Sequence, residues 1–134
     1  MLVFTSDAEI LLLKRTDPFE FWQSVTGSLL NDEDHASAAR RELFEETGMT
    51  REGEMSFTGV SRQFKIDQRW RDRFPPGIVE NVEYEYHFRL PEKTNVNLSD
   101  NEHSGLEWVT LDVAIDRVWS WTNRSALESL KVVL

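Results

Sequence analysis

One stretch, residues 27 to 49, constrains this chain more than any other. It reads GSLLNDEDHASAARRELFEETGM, in which a run of strong helix formers lies between Gly27 and Gly48. Asp34 is suited to cap the start of a helix, and Gly48 suits the left-handed residue that follows a helix end. The stretch therefore predicts a loop that starts at a glycine, followed by a helix over residues 35 to 47.

Three glutamates of the predicted helix, Glu42, Glu45 and Glu46, are spaced at i, i+3 and i+4. This spacing places their carboxylates on one helix face, where like charges repel one another. A hard divalent cation would relieve the repulsion, and Mg²⁺ fits because it needs few protein carboxylates and also binds phosphate oxygens. The alternative is a solvated acidic face, the usual explanation of a charge run.

The glycines, the glutamates and Arg41 together resemble the Nudix box, G-x5-E-x7-R-E-U-x-E-E-x-G-U, in which U is a bulky aliphatic residue. Met49 stands at the last position, where its adaptable apolar side chain suits the role. Asp32 stands where the loop usually has a second glycine, and aspartate also adopts the left-handed conformation. The resemblance implies an α+β fold, an α/β/α sandwich in which a mixed sheet lies between the acidic helix and the C-terminal helices.

The same resemblance implies a pyrophosphohydrolase that uses Mg²⁺, with Mn²⁺ as an alternative. The metal ligands it implies are the carbonyl oxygen of Gly27 and the carboxylates of Glu42, Glu45, Glu46 and Glu102. Arg41 is expected to orient a glutamate, and Glu33 to brace the loop. The base that takes a proton from the attacking water is expected to be Glu42, Glu45 or Glu102, and the sequence does not distinguish among these three.

Outside the box, the segments FWQSVTGS, EHSGLEW and SWTNR resemble one branch of the family, the bacterial dihydroneopterin triphosphate diphosphatases of folate synthesis. That likeness implies hydrolysis of the triphosphate to a monophosphate and pyrophosphate. It implies substrate contacts from Arg15, Thr26, Phe64, Lys65, Ile66, Asp67 and Ser120. Two alternatives stay open: a diphosphatase for dATP, another nucleotide or a dinucleoside polyphosphate, and a Nudix-fold module that binds a nucleotide without hydrolysing it.

Residues 61 to 74, SRQFKIDQRWRDRF, mix basic and aromatic side chains, and five basic residues oppose two aspartates. Guanidinium groups bind phosphate in bidentate fashion, and aromatic faces stack on planar rings. The segment therefore suits a ring-bearing polyphosphate. The alternative is a mobile surface loop whose charges balance an acidic body.

Composition limits what else the chain can be. Its 134 residues suit one domain, residues 1 to 134, and the absence of cysteine fits a reducing cytoplasm. The net charge of -9 argues against binding a nucleic acid polymer over the whole surface. Because no apolar run is long enough to span a bilayer, we expect no membrane partner. The expected partner is a small-molecule triphosphate, and no protein partner is predicted.

Hydrophobic patterns predict the remaining elements. Strands are expected over residues 2–5, 10–14, 22–26, 54–66, 81–90 and 106–110, with a bend or bulge near Gly59. Helices are expected from about Thr110 to Val118 and from a Thr122 cap to about Val132. The alternating apolar face of residues 82 to 90 is expected to pack in the core. The resemblance implies a longer first strand, so either this strand is abbreviated or residues precede Met1.

Overall fold

A mixed sheet organises the fold in the computed structural model, which describes residues 1–27, 29, 32–98 and 103–134. The described residues form six strands: β1 Leu2–Thr5, β2 Glu9–Arg15, β3 Phe21–Gln23, β4 Glu54–Lys65, β5 Glu80–Leu90 and β6 His103–Thr110. β1 pairs in parallel with β5, whereas β2 pairs antiparallel with β1, β3 and β6, and β4 pairs antiparallel with β5. The sheet is thus mixed, as the sequence predicts.

Helices cover both faces of this sheet. They are α1 His35–Thr47, α2 Leu111–Arg117 and α3 Trp121–Val133, and a 3₁₀ helix spans Gln68–Arg73. On one face, alternate residues of β1 and β2 such as Phe4 and Leu12 pack in one cluster with Leu127 of α3. On the other face, residues such as Leu11 pack with Leu43 of α1. The period-2 alternation of these strands builds two cores, and the α/β/α sandwich is confirmed.

The acidic helix α1 has the predicted bounds, and its ends are capped as expected. Asp34 Oδ1 accepts a hydrogen bond of 2.7 Å from the backbone N–H of Ser37. Gly48 has a φ of 76° and donates its N–H to Phe44 O. Asp32 is also left-handed, with a φ of 64°. Met49 is almost completely buried, which confirms that it takes the place of the aliphatic residue.

Three element boundaries differ from the prediction by more than one residue. β3 ends at Gln23, not at Thr26, because the N–H of Ser24 donates to Asn123 Oδ1 at 2.9 Å instead of joining the sheet. The last strand begins at His103, earlier than residue 106. Ser120, not Thr122, is the N-cap residue of α3, and Thr122 is buried in its first turn.

Residues 61 to 74 are more regular than a surface loop. The first five complete β4, and most of the rest form the 3₁₀ helix, which Asp67 caps by accepting from the N–H of Arg69. The predicted distortion near Gly59 is confirmed, because the β4–β5 register shifts between Phe57 and Ser61. None of the described helices is long and apolar enough to cross a bilayer.

The apolar face of β5 is only partly core, which corrects the prediction. Tyr86, Phe88 and Leu90 are buried, but Val82 and Tyr84 are exposed. The side chains of the first half of β5 line a cavity, and Tyr84 also stacks on His35 at the start of α1, with ring centroids 4.2 Å apart.

Candidate active site

A cavity of about 620 Å³ opens between β3, the ends of β4 and β5, and the start of α3. Its lining includes every residue that the sequence assigns to the substrate, namely Arg15, Thr26, Phe64, Lys65, Ile66, Asp67 and Ser120. These residues come from four separate parts of the chain. The fold therefore brings the predicted substrate residues together at one cavity.

Local contacts position several of these side chains. Arg15, at the end of β2, donates from Nε to Asp17 O at 2.9 Å. Ser120 Oγ lies 2.8 Å from Thr122 Oγ1 in the first turn of α3. Asp67 accepts from both the side chain and the backbone of Arg69, and these hydrogen bonds lower the pKa of its carboxyl to about 2. Asp67 is thus an anion that already has a cationic partner.

Aromatic rings form one wall of the cavity. Phe21, Trp70 and Trp119 line it and lie with ring centroids 5.5 to 5.6 Å apart. Phe19 packs against all three, and the guanidinium carbon of Arg69 stands 3.9 Å from the centroid of the Phe19 ring. Such a wall offers planar faces to a heterocycle. The aromatic residues outside the basic segment, Phe21 and Trp119, were not singled out from the sequence.

A buried ion pair also lines the cavity, and the sequence did not reveal it. Arg62 Nη1 donates to Glu85 Oε1 at 2.8 Å, and Arg62 Nε donates to Ser125 Oγ at 3.2 Å. The side chains of Arg62 and Glu85 are only 13% and 6% exposed. Strand alternation places Glu85 on the polar face of β5, which predicts a solvated residue. Nothing in the sequence pattern shows that α3 covers that face.

A smaller cavity of about 190 Å³ adjoins the first one, and the two share Thr26 and Gly27. Glu42 of α1 lines the smaller cavity. A Cβ atom placed on Gly27 would stand 2.5 Å from Glu42 Oε1. The backbone of Gly27 therefore lies directly against the Glu42 carboxylate, and only glycine leaves room for this approach.

The three glutamates of α1 have different surroundings. Burial raises the pKa of Glu42 to about 7, although the N-terminal ammonium group and Arg41 oppose that shift. Glu46 is 4% exposed, and its Oε1 lies 3.5 Å from Nε2 of the buried His103. The Glu45 side chain is 57% exposed. His103 was not among the predicted site residues, although it directly follows Glu102 in the segment EHSGLEW.

Arg41 joins the box residues to one another. It donates to both carboxylate oxygens of Glu33 at 2.9 and 3.0 Å and to Glu45 Oε2 at 3.0 Å. Its Nη2 also lies 3.6 Å from Glu42 Oε1. Hydrogen bonds to Glu33 are the main cause that raises the pKa of Arg41. The arginine therefore ties the loop before α1 to two of the helix glutamates.

Among the residues that the structure describes, no three acidic or histidine side chains converge closely enough to hold a metal ion. Glu102, a predicted ligand, lies outside the described residues. Mg²⁺ needs only one or two protein carboxylates, and Glu42 and Glu46 are hard oxygen donors that are poorly solvated. A nearby cation would also offset the cost of burying these charges. The residues present thus fit a divalent cation.

Known proteins match this chain over nearly its whole length. A family model described as the NUDIX domain matches residues 1–130. The dihydroneopterin triphosphate diphosphatase of Escherichia coli K12 is 31% identical over 136 residues, which cover 98% of this chain and 89% of that protein. The solved structure of the E. coli dihydroneopterin triphosphate pyrophosphohydrolase matches with a TM-score of 0.92 at 29% identity, covering 99% of this chain and 92% of that one. A C. elegans Ap4A hydrolase, solved as a binary complex, matches with a TM-score of 0.75 at 22% identity, covering 98% of this chain and 93% of that one. At this identity the match supports a shared fold and nothing more.

Proposed function

Because the chain belongs to the Nudix family of hydrolases, we propose that it cleaves dihydroneopterin triphosphate to dihydroneopterin monophosphate and pyrophosphate with Mg²⁺ as cofactor. One observation carries this proposal: all of the predicted substrate residues line a cavity that meets the α1 carboxylate Glu42 at Gly27. The identity to the E. coli enzyme over nearly the whole chain supports this substrate.

The proposed metal ligands are Glu42, Glu46 and the carbonyl oxygen of Gly27, with Glu45 and Glu102 as further ligands. A divalent cation bound there, Mg²⁺ or Mn²⁺, would neutralise phosphate charge and make the attacking water more acidic. Phosphoanhydrides are otherwise inert, because their oxygens repel an incoming nucleophile. Glu42 lines the smaller cavity and Glu46 stands one helical turn away, and the poor solvation of both carboxylates supports the assignment.

The chain's own side chains bind the substrate and move the proton. Arg15 and Lys65 line the cavity and are proposed to pair with phosphate oxygens. The wall formed by Phe21, Trp70 and Trp119 is proposed to hold the planar ring and to exclude water from it. The proton of the attacking water passes to a carboxylate, for which Glu42, Glu45 and Glu102 stay the candidates.

A substrate panel tests this proposal directly. Dihydroneopterin triphosphate, dATP and a diadenosine polyphosphate would each be incubated with the protein and Mg²⁺, and the products would be separated by chromatography. We expect the pterin triphosphate to give the highest kcat/KM and to release pyrophosphate. A clear preference for dATP would reject the pterin assignment and keep the nucleotide diphosphatase. No turnover of any substrate would reject both and favour a binding module.

Exchanging Arg41 for lysine is expected to lower turnover at subsaturating Mg²⁺ by about 10 to 100-fold, the range found for residues that orient metal ligands. Lysine keeps the charge but lacks the planar fork that donates to Glu33 and Glu45 together. A Mg²⁺ titration of the rate would show a raised apparent metal requirement. Arg40, an exposed neighbour on α1, provides the matched control, because Arg40→Lys should leave the titration unchanged.

A further inference from the structure

The ion pair between Arg62 and Glu85 takes no part in the metal binding proposed above. Both residues line the larger cavity, and neither lines the smaller cavity beside Gly27 and Glu42. A buried ion pair is weak evidence for a gain in stability, because desolvation of two charges offsets their attraction. An ion pair that lines a cavity is therefore a candidate for ligand recognition.

The pair presents an acceptor next to a donor. Glu85 Oε1 accepts from Arg62 Nη1, and a carboxylate has further lone pairs on both oxygens. Arg62 uses Nη1 for Glu85 and Nε for Ser125, and a guanidinium carries five N–H donors in all. A ligand that enters the cavity thus meets a carboxylate that can accept and a guanidinium that can donate.

The charge of Glu85 determines which part of a substrate fits here. A carboxylate repels phosphate oxygens, so the phosphate chain is not expected to lie against it. The phosphates belong towards Thr26 and Gly27, where the larger cavity meets the one that Glu42 lines. The uncharged ring is the part of the substrate that can approach Glu85.

An aromatic side chain stands close to the pair along α3. Trp121 lines the cavity and is 56% exposed. It precedes Ser125, the hydrogen-bond partner of Arg62, by four residues, so both side chains project from the same face of the helix. The lining of the cavity thus includes both a planar face and a hydrogen-bonding pair.

From these contacts we infer that Glu85 and Arg62 recognise the 2-amino-4-oxopyrimidine edge of the substrate ring. Glu85 accepts from the 2-amino group and the ring N–H, and Arg62 donates to the 4-oxo oxygen. Pterins and guanine share this edge, whereas adenine lacks all three groups and hypoxanthine lacks the 2-amino group. The inference rests on the proposed function for the choice of a ring-bearing triphosphate, and it names the ring class that the site selects.

Binding of nucleoside triphosphates to the metal-free protein, measured by calorimetry, tests the inference without turnover. We expect GTP to bind more tightly than ITP by about 10 to 100-fold, the range for hydrogen bonds to a charged group. Equal or undetectable binding of the two nucleotides by the wild-type protein would overturn the inference. This comparison needs no variant. If the protein binds GTP more tightly than ITP but does not hydrolyse dihydroneopterin triphosphate, the proposed function is rejected and the inference stands.

The variant Glu85→Gln tests the residue itself. Glutamine can still accept from Arg62, but it replaces one acceptor with an amide donor that opposes the 2-amino group. The variant should therefore lose the preference for GTP over ITP and bind xanthosine triphosphate, which has a 2-oxo group, better than the wild type does. Unfolding cannot produce such a gain. Glu107→Gln alters an exposed glutamate–arginine pair and should leave all three affinities unchanged. A Glu85→Gln protein with wild-type preferences would contradict the assignment.

Discussion

Replacing Glu46 with glutamine is expected to lower kcat/KM for the triphosphate substrate by about 10²- to 10⁴-fold, the range for losing a positioned charged group in catalysis. Glu46 is 4% exposed and lies beside His103, so its carboxylate is held in one place by its surroundings. Glutamine has nearly the same shape but no negative charge. The change therefore removes a proposed metal ligand while it preserves the packing.

Thermal unfolding separates loss of the ligand from loss of the fold. Because glutamine keeps a hydrogen-bonding side chain beside His103, Glu46→Gln should unfold at nearly the same temperature as the wild type when no metal is present. The wild type should gain stability on addition of Mg²⁺, and the variant should gain much less. Glu128 is exposed on α3, and Glu128→Gln is the matched control that should behave as the wild type. Full activity of Glu46→Gln would remove this residue from the metal site.

Replacing Gly27 with alanine is expected to lower turnover by at least about 10²-fold, the cost of displacing a reacting group by about 1 Å. The added Cβ would stand 2.5 Å from Glu42 Oε1 and 2.6 Å from its carboxyl carbon. Those distances are too short for nonbonded atoms, so the Glu42 carboxylate must move. Its new position would no longer match the geometry needed by the proposed cation.

Steady-state kinetics with a Mg²⁺ titration would measure this effect, since a displaced ligand raises the metal concentration required. Gly105→Ala is the control, because a Cβ there meets only Lys14 Cβ at 3.9 Å, an ordinary contact. Both variants carry the same change in composition and in backbone freedom. Wild-type rates and metal dependence in Gly27→Ala would show that the close approach to Glu42 has no catalytic role.

The most accurate predictions from the sequence concern features that are set by residues close together in the chain. The bounds of α1, its cap at Asp34 and the left-handed Gly48 all follow from propensity and capping within one or two turns. The two cores likewise follow from the alternation of apolar residues along β1 and β2. The seven fixed positions of the Nudix box were enough to predict the sandwich that the comparisons and the structure confirm.

The boundary errors have long-range causes. β3 ends early because the N–H of Ser24 bonds to Asn123, which is 99 positions away in the chain. Part of the apolar face of β5 lines a cavity, where Tyr84 stacks on His35 of α1, a residue far away in the chain. The segments that meet here lie far apart in the chain. Local propensity and periodicity therefore cannot predict that they contact one another.

By itself, the sequence determined the family, the acidic helix and some of the residues that line the cavity. These predictions use only the types and spacings of residues, which can be read without a three-dimensional structure. Only the tertiary structure decided that Arg62 and Glu85 form a buried pair, that Gly27 lies against Glu42, and that Glu45 is exposed while Glu46 is buried. Burial and close approach depend on which elements pack together, and that packing sets the solvation and charge of each group in the site.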